Sequence, residues 1–218
     1  MIEKSTFDFL KSLKKNNNRE WFDKNRNKYE SAKENFEAFV EALIPVLRKE
    51  NTRLGDLKVK DCIFRIYRDV RFSKNKDPYK TNFGAFFVEG GKKSPKAGFY
   101  IQVAPGNSFV AGGSWMPPAP VLKAIRQEID YNLDDFNKIL TRKSFLKLYD
   151  GMDDARLKTT PKGYDASNAA IDHLRQTSFT VSAMVDDAAV MNKNFTKTCA
   201  GYYKEIMPFL QFLNTAMD

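Results

Sequence analysis

Four short segments rich in aromatic and β-branched residues constrain the fold of this chain more than any other feature. They read CIFRIYRDVRF, FGAFFVEG, GFYIQVAP and SFVAGGSW, and they lie between residues 62 and 115. This composition is typical of β-strands. The Gly, Pro, Lys and Ser residues between them form connections short enough for hairpins and too short for crossover helices. We therefore predict an antiparallel meander over about residues 60–115.

Helical patterns precede this meander. Residues 6–15 predict a short amphipathic helix with Thr6 as its cap. Asn18 is placed to cap a second, much longer helix, in which apolar residues recur at helical spacing. Pro45 is expected to bend or end that helix, because proline lacks a backbone donor and crowds the preceding turn.

Helical patterns return after the meander. One helix is predicted to start at Pro118 or Pro120 and to run to about Ile129, and Asp134 is expected to cap another. The segment KSFLKLYD and residues 192–216 also have helical spacing, whereas SFTVSAMV is typical of a strand. We therefore predict one α+β domain over residues 1–218, with helices grouped around a mainly antiparallel sheet.

The positive charge of the chain is concentrated in one segment. The net charge is +9 and the pI is about 9.4. Between Lys58 and Lys80 there are eight basic and three acidic residues, which supply +5 of that net charge. Such a balance favours anionic partners.

Other partners and sites are less well supported by the sequence. No apolar run approaches the roughly 20 residues that cross a bilayer, and the first residues lack the basic-then-apolar pattern of a signal peptide. We therefore expect a cytoplasmic protein with no membrane partner. Cys62 and Cys199 are far apart and are predicted to be buried thiols. With His173 as the single histidine, these cysteines cannot form an ordinary structural zinc site, and we predict neither a metal nor a cofactor.

Alternation along the basic segment places one guanidinium among apolar residues. If residues 62–72 form a strand, one face carries Cys62, Phe64, Ile66, Arg68, Val70 and Phe72. We predict that this face contacts the core. Arg68 would then need a carboxylate, several carbonyls or a bound anion as its partner. A β-bulge that returns Arg68 to solvent is the other possibility.

The opposite face and the following turn carry further polar candidates. Arg65 and Arg71 flank Asp69 on the polar face, where all three are expected to be solvated. The stretch SKNKDPYKTN is typical of a turn, and Lys76, Tyr79 and Lys80 lie near its tip or at the start of the next strand. Donors of several kinds so close together suit a phosphate or a carboxylate. An ordinary charged turn is the alternative.

Two further candidates come from the later strands. Tyr100 and Gln102 share the strand face opposite Phe99, Ile101 and Val103, so they are predicted to lie on the side away from the core. Trp115 follows two glycines that allow close backbone approach. Its indole could wall a pocket, stack on a base or close the end of the core.

These same segments resemble a known family. RIYRDVRFSKNKDPYKTN, followed by GFYIQVAPGNSFVAGGSWMP, resembles the paired signature of the domain of unknown function 2461 family, a widespread bacterial and fungal group of conserved hypothetical proteins. The N-terminal FLKSLKKNNNREWFDKNRNKYE also resembles the opening of that family. The resemblance covers essentially the whole chain. It implies an α+β fold and a shared pocket region, without an established activity.

The resemblance also marks positions of interest and one departure. It carries over to Arg65, Arg68, Asp69, Arg71, Phe72, Lys76, Pro78, Tyr79, Lys80, Tyr100, Gly112, Gly113 and Trp115. In the third family element, PKGYDASNAAIDHLRQTSF, the residues ASNAA stand where the family usually has Asp-His-Pro, and Thr177 stands where lysine is common.

Three functions are consistent with these patterns. The first is a basic and aromatic pocket for a small phosphorylated or carboxylated molecule, in a binding protein or in an enzyme of unidentified reaction. The second is nucleic-acid binding through a basic surface with aromatic residues. The third is a structural charge network in a protein-interaction domain that takes no small ligand. The oligomeric state and the question of an enzymatic reaction stay open at this point.

Overall fold

A four-stranded antiparallel sheet forms the β part of the structure. The computed structural model describes residues 1–218 and contains ten α-helices, one short 3-10 helix and this sheet. The strands follow one another in the order β1-β2-β3-β4. Their bounds are Phe83–Phe87 for β1, Gly98–Val103 for β2, Ser108–Ser114 for β3 and Phe179–Val185 for β4. The predicted α+β class and the strands predicted in these four places are confirmed.

The first predicted strand is wrong. Cys62 ends a short helix, and residues 63–82 contain only two isolated bridges, Ile63 to Ala85 and Tyr67 to Tyr79. The meander therefore starts at Phe83 and not near residue 60.

The predicted core face of this segment is also wrong in part. Cys62 and Ile66 are buried, but Phe64 is 38% exposed and Phe72 is 96% exposed. The physical reason is that the chain folds back on itself beyond Tyr67, since the backbone N–H of Arg68 donates to the carbonyl of Pro78 at 2.9 Å. Strict alternation of side chains cannot continue through such a loop.

The helices before the sheet differ from the prediction at three points. Thr6 does not cap the first helix, because Glu3 holds that position and the buried Thr6 hydroxyl donates to Asn35 Oδ1 at 2.8 Å. Asn18 does cap a helix, but that helix ends before Asn25 and a separate one follows. Pro45 lies inside the long helix, so it does not end the helix, and the expected bend stays a prediction. The elements are α1 Lys4–Lys15, α2 Arg19–Lys24, α3 Arg26–Glu50, the 3-10 helix Thr52–Leu54 and α4 Val59–Cys62.

The helices after the meander agree more closely with the prediction. Pro118 stands immediately before α5, and Asn132, not Asp134, occupies the cap position of α6. None of the helices combines the length and the apolar character that crossing a membrane would require. The elements are α5 Ala119–Tyr131, α6 Leu133–Leu140, α7 Lys143–Tyr149, α8 Ile171–Leu174, α9 Asp187–Val190 and α10 Phe195–Thr215.

The chain divides into two compact units. The first comprises Met1–Lys92, Tyr100–Val110 and Met184–Ala200, and the second comprises Lys93–Phe99, Ala111–Ala183 and Gly201–Asp218. The single domain expected from the sequence stays a prediction.

Aromatic stacking in the first unit fixes the segment that precedes β1. The buried ring of Tyr79 stacks on the buried ring of Phe22, with centroids 3.9 Å apart and an angle of 11° between the planes. The Asn17 side chain accepts from the Tyr79 N–H at 3.1 Å and donates to the Tyr79 carbonyl at 2.9 Å. Ring and backbone of this residue are therefore both held, which sets the position of Lys80 next in the chain.

Two adjacent glycines of β3 pack closely in the second unit. A Cβ added at Gly112 would lie 2.3 Å from Cδ1 of Ile206, and one added at Gly113 would lie 1.9 Å from the carbonyl oxygen of Phe179. Gly113 also has a φ of 127°, a backbone conformation that other residues rarely adopt. The close approach expected of these glycines is confirmed.

We expect Gly113→Ala to destabilise the protein severely, because the new Cβ would meet a backbone atom that cannot move aside. The strained backbone alone costs about 1–3 kcal/mol, and the steric overlap adds about 1–3 kcal/mol. Gly151→Ala is the matched control, since its φ is 99° and nothing lies within 4 Å of an added Cβ. Chemical denaturation measures both. Equal losses of unfolding free energy would contradict the role of the close approach.

Candidate anion-binding site

The loop between Arg68 and Pro78 holds itself together through its own cations. The half-buried guanidinium of Arg68 donates from Nη1 to the carbonyl of Asp77 and from Nη2 to Oγ of Ser73, each at 3.2 Å. Lys76 Nζ donates to the carbonyl of Val70 at 3.0 Å. Of the partners expected for Arg68, the structure thus provides one carbonyl, and a hydroxyl of the same loop, which was not expected, is the second.

Arg71 and Asp69 form an ion pair on the surface of the same loop. Nε and Nη2 of Arg71 donate to the two carboxylate oxygens of Asp69 at 3.0 and 2.7 Å. This hydrogen bonding lowers the pKa of Asp69 and raises the pKa of Arg71. Both side chains are well exposed, as predicted. An exposed pair of this kind contributes little stability.

Lys80 lies in a different environment from these loop cations. Its side chain is half-buried, and Nζ lies 5.5 Å from the centre of the Phe64 ring. Burial lowers the pKa of Lys80, and the charge of the nearby exposed Arg65 lowers it further. No carboxylate lies within ion-pairing distance of either cation. Two positive groups therefore lie near each other without a counter-ion, and one of them lies over an aromatic ring.

Tyr100 lies on the face of β2 that is directed away from the core, next to Phe64, the ring that the Lys80 ammonium contacts. The centre of its ring is 6.1 Å from that of Phe64 and 5.7 Å from that of Phe109. Its hydroxyl lies over Gly84, where an added Cβ would be only 2.5 Å away. Burial raises the pKa of Tyr100 to about 12, so the hydroxyl stays protonated near neutral pH and acts as a donor. The predicted face of Tyr100 and Gln102 is confirmed, since both are half-buried between fully buried neighbours.

Gln102 connects this cluster to a groove in the first unit. Its Oε1 lies 3.5 Å from the Tyr100 hydroxyl, and its Nε2 donates to the carbonyl of Asn107 at 3.0 Å. The groove has a volume of about 740 Å³. A neighbouring carboxylate, Asp187, accepts from the backbone N–H of Gly106 at 2.8 Å. The lining residues are Leu10, Lys11, Lys14, Lys15, Thr81, Asn82, Gln102, Ala104, Pro105, Gly106 and Asn107.

Trp115 belongs to the second unit and is described separately. Its side chain is 76% exposed, so it does not close a core. The next residue, Met116, has a φ of 45°, and its N–H donates to Oγ of Ser178 at 2.9 Å. An exposed indole held beside a constrained backbone is available for contact with a partner.

Both cysteines are buried, and the histidine is half-buried. Cys62 and Cys199 are buried as predicted. Burial raises the pKa of both thiols, that of Cys62 to about 12, which disfavours the reactive thiolate. His173 Nε2 lies 2.9 Å from Oδ1 of Asn137, and the imidazole packs edge-on against Phe136. Desolvation lowers the pKa of His173.

The predicted site residues thus fall into two groups, apart from Tyr79 and the separately described Trp115. Lys80, Tyr100, Gln102 and the neighbouring Arg65 lie around one aromatic surface, which we call the Lys80 cluster and which includes Phe64. The loop residues Arg68, Asp69, Arg71 and Lys76 bind mainly to one another and to their backbone, and the ring of Tyr79 is buried. Sequence reasoning missed the groove lysines Lys11, Lys14 and Lys15. Their spacing of three and four residues on a helix was the available signal, because it places them on one face.

The comparison with protein families agrees with the motifs. The family model described as Conserved hypothetical protein (DUF2461) matches residues 5–212. No curated protein and no solved structure matches the chain.

We expect Tyr100→Phe to remove one tyrosine that ionises at about pH 12 in the folded protein. Tyr29, whose pKa burial also raises to about 12, should remain. A spectroscopic pH titration of tyrosinate, compared with wild type, measures this. Tyr131→Phe is the control, because that side chain is 74% exposed. A loss near the ordinary tyrosine pKa of about 10 would contradict the burial of the Tyr100 hydroxyl.

The same shift has a consequence for stability. Because the pKa of Tyr100 is higher in the folded than in the unfolded protein, the free energy of unfolding decreases as pH rises from about 10 to about 12. Tyr100→Phe should therefore be less sensitive than wild type to alkali in this range, as measured by urea denaturation.

Proposed function

We propose that this chain, which belongs to the DUF2461 family of conserved hypothetical proteins, binds a small phosphorylated or carboxylated molecule at the Lys80 cluster. Lys80 and Arg65 would bind the anionic group. Tyr100 and Gln102 would orient the ligand through neutral hydrogen bonds.

The observation that carries this proposal is the unpaired, half-buried ammonium of Lys80 beside Arg65. Burial of a charge is unfavourable unless a partner compensates for the lost solvation. A bound anion would supply that partner for both cations at once. Its negative charge would also favour the protonated ammonium and so raise the pKa of Lys80.

The other groups of the cluster support the same ligand class. Arg65 is exposed and has a planar guanidinium that can donate two parallel hydrogen bonds to a phosphate or a carboxylate. The Tyr100 hydroxyl stays protonated near neutral pH and, in place of its 3.5 Å contact with Oε1 of Gln102, would donate to the ligand. Phe64 supplies an apolar contact beside the ammonium of Lys80.

Nucleic-acid binding is the second candidate, because of one exposed aromatic side chain. Phe72 is 96% exposed, and the guanidinium carbon of Arg71 lies 5.9 Å from the centre of its ring. An exposed ring among cations could stack on a base. A steep loss of oligonucleotide affinity between about 50 and 200 mM salt would favour this function over the small ligand.

A cytoplasmic location remains a prediction from the sequence.

We expect Lys80→Met to weaken binding of phosphate esters or organic acids by at least about tenfold, because a charge-assisted hydrogen bond is lost. A thermal-shift screen identifies the tightest ligand, and calorimetry measures its affinity for both proteins. Lys74→Met is the matched control, since Lys74 is an exposed lysine of the same basic segment. Equal affinities of wild type and Lys80→Met would refute the proposed site.

We also expect affinity to fall as pH rises through the lowered pKa of Lys80, because the anion binds the protonated ammonium. A phosphate monoester with a second pKa of about 6 stays fully ionised over this range. Because the folded-state pKa of Lys80 is lowered, its deprotonation makes the protein more stable as pH rises toward the ordinary lysine pKa, so titration of Lys80 does not itself cause unfolding. Lys80→Arg keeps its charge and should bind with little pH dependence. A decline in this variant as steep as in wild type would point to another group.

A further inference from the structure

We infer that the ligand of this site is a phosphorylated sugar with two anionic groups, one bound at the Lys80 cluster and the other by the lysines of the groove. This inference rests on the proposed function and specifies its ligand class. Three observations carry it: the lysines of α1, the continuity through Gln102, and the amide side chains between the two positive ends.

The groove contains a positive cluster of its own. Lys11, Lys14 and Lys15 lie at spacings of three and four residues, so they share one face of α1, and all three are exposed. The preceding lysine on this helix, Lys4, is paired with Asp8 at 3.3 Å, whereas the three groove lysines make no ion pair. The C-terminal end of a helix carries only about half a negative charge. Three ammonium groups therefore leave a strongly positive groove wall.

The groove and the Lys80 cluster form one surface within the first unit. Asn82, which lines the groove, follows Lys80 by two residues, which separates their Cα atoms by about 7 Å at most. On the neighbouring strand, Gln102 lies beside the Tyr100 hydroxyl and also lines the groove. A ligand that extends from Lys80 along this face therefore reaches the lysines of α1.

The chemistry between the two ends suits hydroxyl groups. The side chains of Asn82, Gln102 and Asn107 each offer both hydrogen-bond donors and acceptors. No acidic side chain lines the groove, and the neighbouring carboxylate of Asp187 accepts from the backbone of Gly106. A volume of about 740 Å³ is typical of pockets for whole metabolites and exceeds what one phosphate fills. A polyhydroxylated molecule with an anion at each end fits this arrangement.

The test compares the monophosphate and the bisphosphate of fructose by calorimetry. Wild type should bind the bisphosphate at least about tenfold more tightly, because the second phosphate gains charge-assisted hydrogen bonds. Lys14→Met/Lys15→Met should abolish this preference, because it weakens binding of the bisphosphate more than binding of the monophosphate. Lys28→Met/Lys49→Met is the control, since it removes the same charge from exposed positions of α3. This control should keep the preference.

The outcomes separate this inference from the proposed function. If wild type binds both sugars equally and Lys80→Met weakens both, the second anion site is refuted and the proposed function stands. Equal loss of preference in both double variants would show a nonspecific charge effect and would also refute it. Binding of neither sugar overturns the inference. In that case inorganic phosphate and citrate test the proposed function separately, which survives if either binds in a manner that depends on Lys80.

Discussion

The stacked pair of Phe22 and Tyr79 is the contact on which the arrangement of the site depends. The stack and the two hydrogen bonds between Asn17 and the Tyr79 backbone hold the chain immediately before Lys80. Asn17 lies just after α1, whose lysines line the groove. One local contact thus ties both positive clusters to the same part of the first unit. Without it, the ammonium of Lys80 would not be kept over an apolar ring, where its charge is poorly solvated.

Alternation and periodicity predicted most of the regular elements. The strands over FGAFF, GFYIQV, SFVAGGS and FTVSAMV were predictable because each has a buried face formed by every second residue. Residues 62–72 have the same composition, yet Cys62 ends a helix and the rest form a loop. Arg68 and Lys76 donate hydrogen bonds to carbonyls within that loop, and such hydrogen bonds cannot be predicted from composition. The error about Phe72 follows directly, since its place on a core face assumed a strand.

The candidate site was predictable only in part, for a related reason. Tyr100 and Gln102 could be placed correctly because parity along a real strand determines their face. Arg68 was the more conspicuous residue in the sequence, but its guanidinium is bound by its own loop. Lys80 became the informative cation only once its contact with Phe64 was known. The contribution of α1 depends on tertiary structure, because some 65 residues of sequence separate Lys15 from Lys80.

The position of the Tyr100 phenol over Gly84 gives this surface a rigid part, which differs from its flexible charged side chains. The absence of a side chain at Gly84 lets the ring lie against the strand, where its neighbours restrict rotation. An incoming molecule would therefore meet a rigid floor that loses little rotameric entropy on contact. Arg65 and the α1 lysines, in contrast, are long flexible side chains in water. The rigid Tyr100 ring would then discriminate between ligands of equal charge. The flexible side chains of Arg65 and the α1 lysines would tolerate different spacings between the charges of a ligand.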